Sequence, residues 1–163
     1  VATSLAGIVA LSPWRMELRE RADGLVVVND AYNANPDSVR AALETLAGIG
    51  RRTGRRTVAV LGEMRELGPT ADEEHRAVGR LTTELGIDDV VVVGDGARSI
   101  AETARAASFF PTVTEAEPAV VDNVGGRQVV LVKASRAARL ERLADALLRG
   151  GPHDPGDTEE GIG

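Results

Sequence analysis

Side chains able to bind a polar ligand follow directly behind an apolar run near the amino end of the chain. The run Leu25–Val28 is rich in valine and is typical of a buried strand. Behind it come Asp30, Tyr32, Asn33 and Asn35. Ligands of open α/β sheets bind outside the carboxyl ends of the strands, which makes this a candidate binding loop. The alternative is that the Asp, Asn and Pro residues here only shape a turn.

Three further loops carry polar or small residues behind predicted strands. They are Glu63–Gly68, Gly94–Gly96 and Lys133–Arg136. If the strands are parallel, these loops share one edge of the sheet with the candidate loop, and their mixture of charges, amides and glycines suits a phosphate-bearing ligand. We therefore expect the loops of five residues on one side of the sheet: Asp30, Tyr32, Asn35, Glu63 and Lys133. Gly94–Gly96 is too short for a dinucleotide fingerprint and predicts a tight turn.

The sequence lacks the motifs of several common kinds of binding site and catalytic site. There is no GxxxxGK[ST] sequence to cradle a triphosphate, no cysteine and no metal-ligand spacing. Ser135 has no plausible histidine partner, and His75 is expected on the surface of a helix. The net charge of −6 argues against a nucleic-acid groove. No apolar run reaches membrane-spanning length.

The elements that position these loops alternate between strands and helices. Strands are predicted over 14–21, 25–30, 57–62, 89–94 and 128–133, with a short one over 109–113. Helices are predicted over 39–49, 70–85, 97–107, 115–123 and 137–148. The first helix would be capped by Asp37 or Ser38 and ended by Gly48 and Gly50, while the arginines at 51, 52, 55 and 56 would form a solvated connection. Because Asp23-Gly24 is a hairpin signal, the first strand should run antiparallel to the second. The pattern predicts an α/β fold, a Rossmann-like three-layer sandwich with a mostly parallel sheet.

Four segments together resemble the C-terminal domain of Mur ligases. They are Trp14-Arg15-Met16, the run NDAYNANPDS at 29–38, the run LGEMRELG at 61–68 and the run VKASR at 132–136. The resemblance covers about residues 12–148 and is to those members that add D-alanyl-D-alanine to UDP-N-acetylmuramoyl-tripeptide. Ala134 departs from the pattern, since many members carry glycine there.

The resemblance implies a domain organisation. Residues 1–11 would be a linker or the end of a missing central ATPase domain, 12–149 the Mur ligase C-terminal domain and 150–163 a disordered tail. The chain begins at Val1 without an initiator methionine, so we expect a fragment of a longer protein. Its partners would be its own N-terminal and central domains, and the protein would be a cytoplasmic monomer that neither binds nucleic acid nor enters a membrane.

The resemblance also implies an activity. ATP with Mg²⁺, both held mainly by the central domain, would phosphorylate the tripeptide carboxylate, and the amine of D-alanyl-D-alanine would displace the phosphate. This domain would close over the site as a lid, hold no metal and supply no catalytic residue, and the fragment alone would be inactive. A closing lid has a purpose, because water would hydrolyse an acyl phosphate.

Site residues carried over from the family fall into two groups. Arg15 would contact the nucleotide phosphates and Asp30 the ribose hydroxyls, with Tyr32, Asn33 and Asn35 lining the same closed cleft. The residues expected to contact the dipeptide substrate or the neighbouring domain are Glu63, Lys133, Ser135 and Arg136.

Two other functions stay open from the sequence. One is the C-terminal domain of a folylpolyglutamate synthase, which shares the architecture, although the 29–38 segment argues against it. The other is a stand-alone α/β ligand-binding domain. A phosphate-binding loop encoded upstream of Val1 would favour a ligase over the stand-alone domain.

Overall fold

A computed structural model describes residues 16–150 of the chain. The strands are β1 (Glu17–Glu20), β2 (Val26–Asp30), β3 (Arg56–Leu61), β4 (Asp89–Val93), β5 (Ala107–Phe110) and β6 (Gln128–Lys133). The helices are α1 (Pro36–Thr53), α2 (Ala71–Glu84), α3 (Arg98–Thr103), α4 (Val113–Asn123) and α5 (Glu141–Arg149). The part of the first predicted strand at 14–15, the linker at 1–11 and the tail at 151–163 lie outside the described residues.

The strands form one six-stranded sheet in the order β1-β2-β6-β3-β4-β5. β1 pairs antiparallel with β2, and the remaining pairs are parallel. This confirms the predicted fold class, including the antiparallel hairpin. Because β6 lies between β2 and β3, the last strand of the described residues occupies the middle of the sheet, beside the candidate loop.

Helices cover both faces of the sheet and give the predicted three layers. One core contains Val39, Leu43 and Ile100 from α1 and α3 together with one set of alternating strand residues. The other contains Val120 from α4, Leu143 from α5 and the opposite set. Strands buried on both faces read as continuous apolar runs, which is why the four valine-rich strands were recognisable in the sequence.

Helix α1 is longer than predicted at both ends. Its N-cap is Asn35, whose side chain accepts a hydrogen bond from the amide of Ser38, while Ser38 returns the contact in a capping box. The prediction that Gly48 and Gly50 end the helix was wrong, because both are buried inside it. The helix ends at Gly54, which has the left-handed φ of 68° that favours glycine at such a position.

The end of α1 also changes the interpretation of the arginine cluster. Arg51 and Arg52 lie in the last turn of the helix rather than in a connection. Arg55 is half-buried and donates to the carbonyl of Gly24. Arg56 begins β3 and pairs with Asp89, which raises the pKa of the Arg56 guanidinium above its ordinary value. A wholly solvated connection was therefore the wrong prediction.

Two later helices are shorter than predicted because tertiary contacts override helix propensity. The chain leaves α3 at Ala104 and forms β5, where the amide of Val90 donates to the carbonyl of Ala106. Behind β6 there is a single 3₁₀ turn, and α5 starts only at Glu141. The intervening Leu140 is completely buried and packs close to Gly62: a Cβ atom on that glycine would lie 3.1 Å from the Cδ1 atom of Leu140.

Substituting Gly79 tests how closely α2 and α3 pack. Alanine in place of glycine usually stabilises a helix by about 1 kcal/mol. Here a Cβ would collide with the carbonyl oxygen of Ile100 and the hydroxyl of Thr103, so we expect Gly79→Ala to destabilise by about 1–3 kcal/mol. Gly125→Ala is the control, because a Cβ there meets no atom within 4 Å. Urea unfolding of both variants measures the difference, and a stabilising Gly79→Ala would contradict the packing described.

Candidate active-site edge

The candidate loops meet at the carboxyl edge of the parallel strands. In the sheet register Asp30 of β2 lies beside Lys133 of β6, and Lys133 lies beside Leu61 of β3. Glu63 follows β3 directly, so its loop leaves the sheet at the same edge as the loops of Asp30 and Lys133. The prediction of one shared edge is confirmed.

A buried ion pair stands at the centre of this edge. The Nζ atom of Lys133 lies 2.8 Å from Oδ2 of Asp30, and only 2% of the lysine side chain and 11% of the aspartate side chain are exposed. Nζ also donates to the carbonyl oxygen of Asn33 at 2.7 Å. The other carboxylate oxygen of Asp30 accepts from the amide of Met16 at 3.2 Å. One lysine therefore holds both the start and the middle of the candidate loop.

A cleft of about 440 Å³ opens beside this pair, between the loop and the first turns of α1. Its walls combine a carboxylate, an amide and small side chains. They are formed by Met16, Asp30, Asn33, Ser38, Ala41, Ala42, Thr45 and Lys133. A volume of this size with few polar groups in an otherwise small-residue wall is typical of a site for part of a small molecule.

Two asparagines of the candidate loop have structural contacts of their own. Asn33 is exposed, and its side chain accepts from the amide of Ala34 at 2.9 Å. Asn35 is the N-cap of α1, as described above. Asn35 therefore has a structural role as a helix cap, and Asn33 also lines the cleft. The predicted contacts of both residues with a nucleotide stay predictions.

The loop after β3 is held from two sides. The backbone amide of Ser135 donates to the carbonyl of Glu63. The side-chain hydroxyl of Ser135 accepts from the amide of Arg65 at 3.0 Å. From the other side, Nε2 of His75 accepts from the amide of Met64 at 2.9 Å. The surface position predicted for His75 was wrong, because the ring is only 1% exposed. Nothing in the spacing of a lone histidine on a charged helix indicated this contact.

The half-buried side chain of Glu63 lies against Gly96, and a Cβ on that glycine would collide with the carboxyl group. Gly94 has a φ of 95° and precedes a 3₁₀ turn, which agrees with the tight turn predicted there. At the other end of the edge, the guanidinium of Arg136 lies 5.9 Å from the centre of the Tyr32 ring, at the outer limit of a cation–π contact. Arg15 lies outside the described residues.

Replacing His75 with leucine tests the contact between α2 and this loop. The amide of Met64 would lose its acceptor while buried, so we expect a loss of about 1–3 kcal/mol in unfolding free energy and faster hydrogen exchange at Met64. Glu84→Gln, at an exposed position of the same helix, is the control and should change stability by less than about 0.5 kcal/mol. Unchanged exchange at Met64 would show that the histidine does not hold the loop.

Between residues 16 and 150 no three side chains of His, Cys, Asp or Glu come together in a way that could hold a metal ion. No helix within that range is both long and apolar enough to cross a membrane.

The fold and the cleft define an open α/β domain of the class that binds ligands outside the carboxyl ends of its parallel strands. The model of the family described as Mur ligase, glutamate ligase domain, matches residues 14–136. The chain belongs to this family. The match agrees with the resemblance carried by the segments at 14–16, 29–38, 61–68 and 132–136.

Individual relatives narrow the comparison. The chain is 41% identical to the UDP-N-acetylmuramoyl-tripeptide--D-alanyl-D-alanine ligase of Mycobacterium leprae over 175 residues, covering 95% of this chain and 34% of that protein. The MurF ligase of Thermotoga maritima, solved in complex with ADP, superposes with a TM-score of 0.74 at 28% identity, over 87% of this chain and 32% of its own. A MurF structure from Acinetobacter baumannii gives a TM-score of 0.75 at 31% identity, over 85% of this chain and 30% of its own. The chain spans about a third of the length of the curated relatives it matches.

Proposed function

We propose that this chain is the C-terminal lid domain of an ATP-dependent ligase that adds D-alanyl-D-alanine to UDP-N-acetylmuramoyl-tripeptide. The observation that carries the proposal is the edge built by Asp30, Asn33 and Lys133 in a domain 41% identical to a ligase of that name. The domain's relatives at this level of identity favour this ligase over a folylpolyglutamate synthase, and membership of the family disfavours a stand-alone binding domain.

The reaction proceeds in two steps. A carboxylate oxygen of the tripeptide attacks the γ-phosphorus of ATP, which releases ADP and leaves an acyl phosphate. The amine of D-alanyl-D-alanine then attacks the acyl carbon, and phosphate departs with the former carboxylate oxygen. Water that reached the acyl phosphate would hydrolyse it, so a domain that closes over the site protects the intermediate.

In this proposal the domain supplies contacts and shape. Asp30 accepts hydrogen bonds from the ribose hydroxyls of ATP, because a carboxylate is a paired acceptor that matches a diol. Arg15 meets the phosphates, for which its charged fork is suited. Tyr32, Asn33 and Asn35 line the nucleotide side of the interdomain cleft that forms when this domain closes. The related Thermotoga enzyme was solved in complex with ADP, which supports a nucleotide as a ligand of the complete protein.

The remaining edge residues face the other substrate or the neighbouring domain. Arg136 is exposed and carries a charge suited to the carboxylate of D-alanyl-D-alanine. Glu63 and Ser135 belong to the loops that shape this end of the edge. Mg²⁺ and the phosphate cradle belong to the central domain, since the chain carries no phosphate-binding loop motif.

An assay of acceptor choice tests the function. The complete polypeptide carrying this domain is incubated with Mg-ATP, UDP-N-acetylmuramoyl-tripeptide and either D-alanyl-D-alanine or L-glutamate, and products are identified by mass spectrometry. We expect product only with the dipeptide. Transfer of glutamate to a folate in a parallel reaction would instead support the synthase alternative.

A further inference from the structure

Lys133 is the only lysine in the chain, and only 2% of its side chain is exposed. It ends β6 in the middle of the sheet, with Asp30 on one side in register and Leu61 on the other. A lysine side chain reaches bulk solvent from most positions by extending its flexible stem. This side chain turns instead toward the loop after β2.

Both contacts of the ammonium group fix that loop. The ion pair orients the Asp30 carboxylate, and the hydrogen bond to the Asn33 carbonyl fixes the backbone three residues later. A lysine buried to this degree and engaged in this way is poorly placed to reach a substrate carboxylate. The role expected for it from the family resemblance, contact with the dipeptide or the neighbouring domain, is therefore not the one that its surroundings favour.

The contacts of Asp30 leave a defined acceptor pattern. Each carboxylate oxygen has two lone-pair directions. Oδ1 uses one for the amide of Met16 and Oδ2 uses one for Lys133. Among the contacts of the described residues, one direction remains on each oxygen, and the 11% exposed fraction of the side chain adjoins the cleft. The two carboxylate oxygens of Asp30 can therefore accept hydrogen bonds from two hydroxyl groups on neighbouring carbon atoms of a ligand.

We infer that Lys133 is a positioning residue: it sets the Asp30 carboxylate and the 30–33 loop so that both oxygens of Asp30 meet the vicinal hydroxyls of the nucleotide ribose, without itself touching nucleotide or dipeptide. This inference rests on the proposed function for the identity of the nucleotide. It adds a residue that determines sugar specificity by orienting Asp30 rather than by contacting the sugar.

The test compares ATP with 2′-deoxy-ATP in the complete ligase. We expect the wild-type enzyme to prefer ATP by about tenfold in kcat/KM, the effect of one hydrogen bond to a charged acceptor. In Lys133→Met this preference should fall to about twofold or less, with the KM for D-alanyl-D-alanine unchanged. Asp30→Ala should show the same loss, and the double variant should lose no more than either single variant.

A structural control separates positioning from general destabilisation. Leu143→Ala removes a fully buried side chain from the opposite face of the sheet and should keep the wild-type preference for ATP. Lys133→Leu, which likewise lacks an N–H donor, replaces the methionine variant if that protein does not fold. A Lys133 variant with the wild-type preference, or with a raised KM for the dipeptide alone, would overturn the inference.

The proposed ligase function and the positioning role of Lys133 can be refuted independently of each other. Calorimetric titration with ATP and 2′-deoxy-ATP measures the same preference without turnover. A complete protein whose preference depends on Lys133 but that joins no D-alanyl-D-alanine would remove the proposed function and retain the inference. A protein that joins the dipeptide, but whose preference for ATP over 2′-deoxy-ATP does not depend on Lys133, would retain the proposed function and overturn the inference.

Discussion

Replacing Asp30 with alanine in the complete ligase is expected to lower kcat/KM for ATP by about one to two decades, because a lost charged contact costs about 1.5–3 kcal/mol. The KM for UDP-N-acetylmuramoyl-tripeptide should stay near its wild-type value. The same substitution should also destabilise the domain, since it leaves the ammonium of Lys133 buried without its partner. Steady-state kinetics with ATP as the varied substrate measure the first effect and thermal unfolding the second.

The double variant Asp30→Ala/Lys133→Met separates these effects. It removes both charges, so no unpaired charge stays buried and much of the stability should return. The defect with ATP should persist, because the acceptor for the ribose is still missing. Wild-type kinetics in Asp30→Ala, or full recovery of kcat/KM in the double variant, would remove Asp30 from the nucleotide site.

The isolated chain of residues 1–163 is expected to fold but to catalyse neither ATP hydrolysis nor peptide joining. Its two apolar cores enclose both faces of the sheet, which supports independent folding. Phosphoryl transfer, however, needs a Mg²⁺ site and a cradle of backbone amides and lysine around the phosphates. The one lysine is committed to Asp30 and Asn33. Turnover should therefore be lost completely.

Binding of Mg-ATP to the isolated chain should be weak, with a Kd near 1 mM, which corresponds to about −4 kcal/mol. Within residues 16–150 the cleft offers one wall for a ligand and no opposing wall to exclude water. Titration calorimetry beside a phosphate-release assay measures both properties. Micromolar affinity, or phosphate release above a no-protein blank, would show that the domain carries its own nucleotide site.

Much of the fold was predictable from the sequence because its strands are buried on both faces. The valine-rich runs at 25–30, 57–62, 89–94 and 128–133 carry this signal directly. The common edge of the loops then followed from parallel pairing alone. Strand order did not follow, because no local signal tells β6 to insert between β2 and β3.

The parts that sequence analysis missed are set by contacts between distant residues. Gly48 and Gly50 look like helix terminators, yet they are small residues at a tight approach inside α1; a Cβ at Gly50 would meet the carbonyl oxygen of Arg55 at 3.2 Å. His75 looks like a surface residue among charged neighbours, yet its ring contacts a loop eleven residues earlier. The pairing of Lys133 with a carboxylate more than a hundred residues away in the chain has no local signal either. Periodicity cannot report such pairs.

Transfer of oxygen from the tripeptide to phosphate tests the central claim most directly. The complete ligase is supplied with UDP-N-acetylmuramoyl-tripeptide carrying ¹⁸O in both oxygens of the acceptor carboxylate, Mg-ATP and D-alanyl-D-alanine. Ligation through an acyl phosphate predicts one ¹⁸O in each phosphate released and one retained in the new amide of each product. Absence of the D-alanyl-D-alanine adduct, or unlabelled phosphate accompanying its formation, would contradict the account.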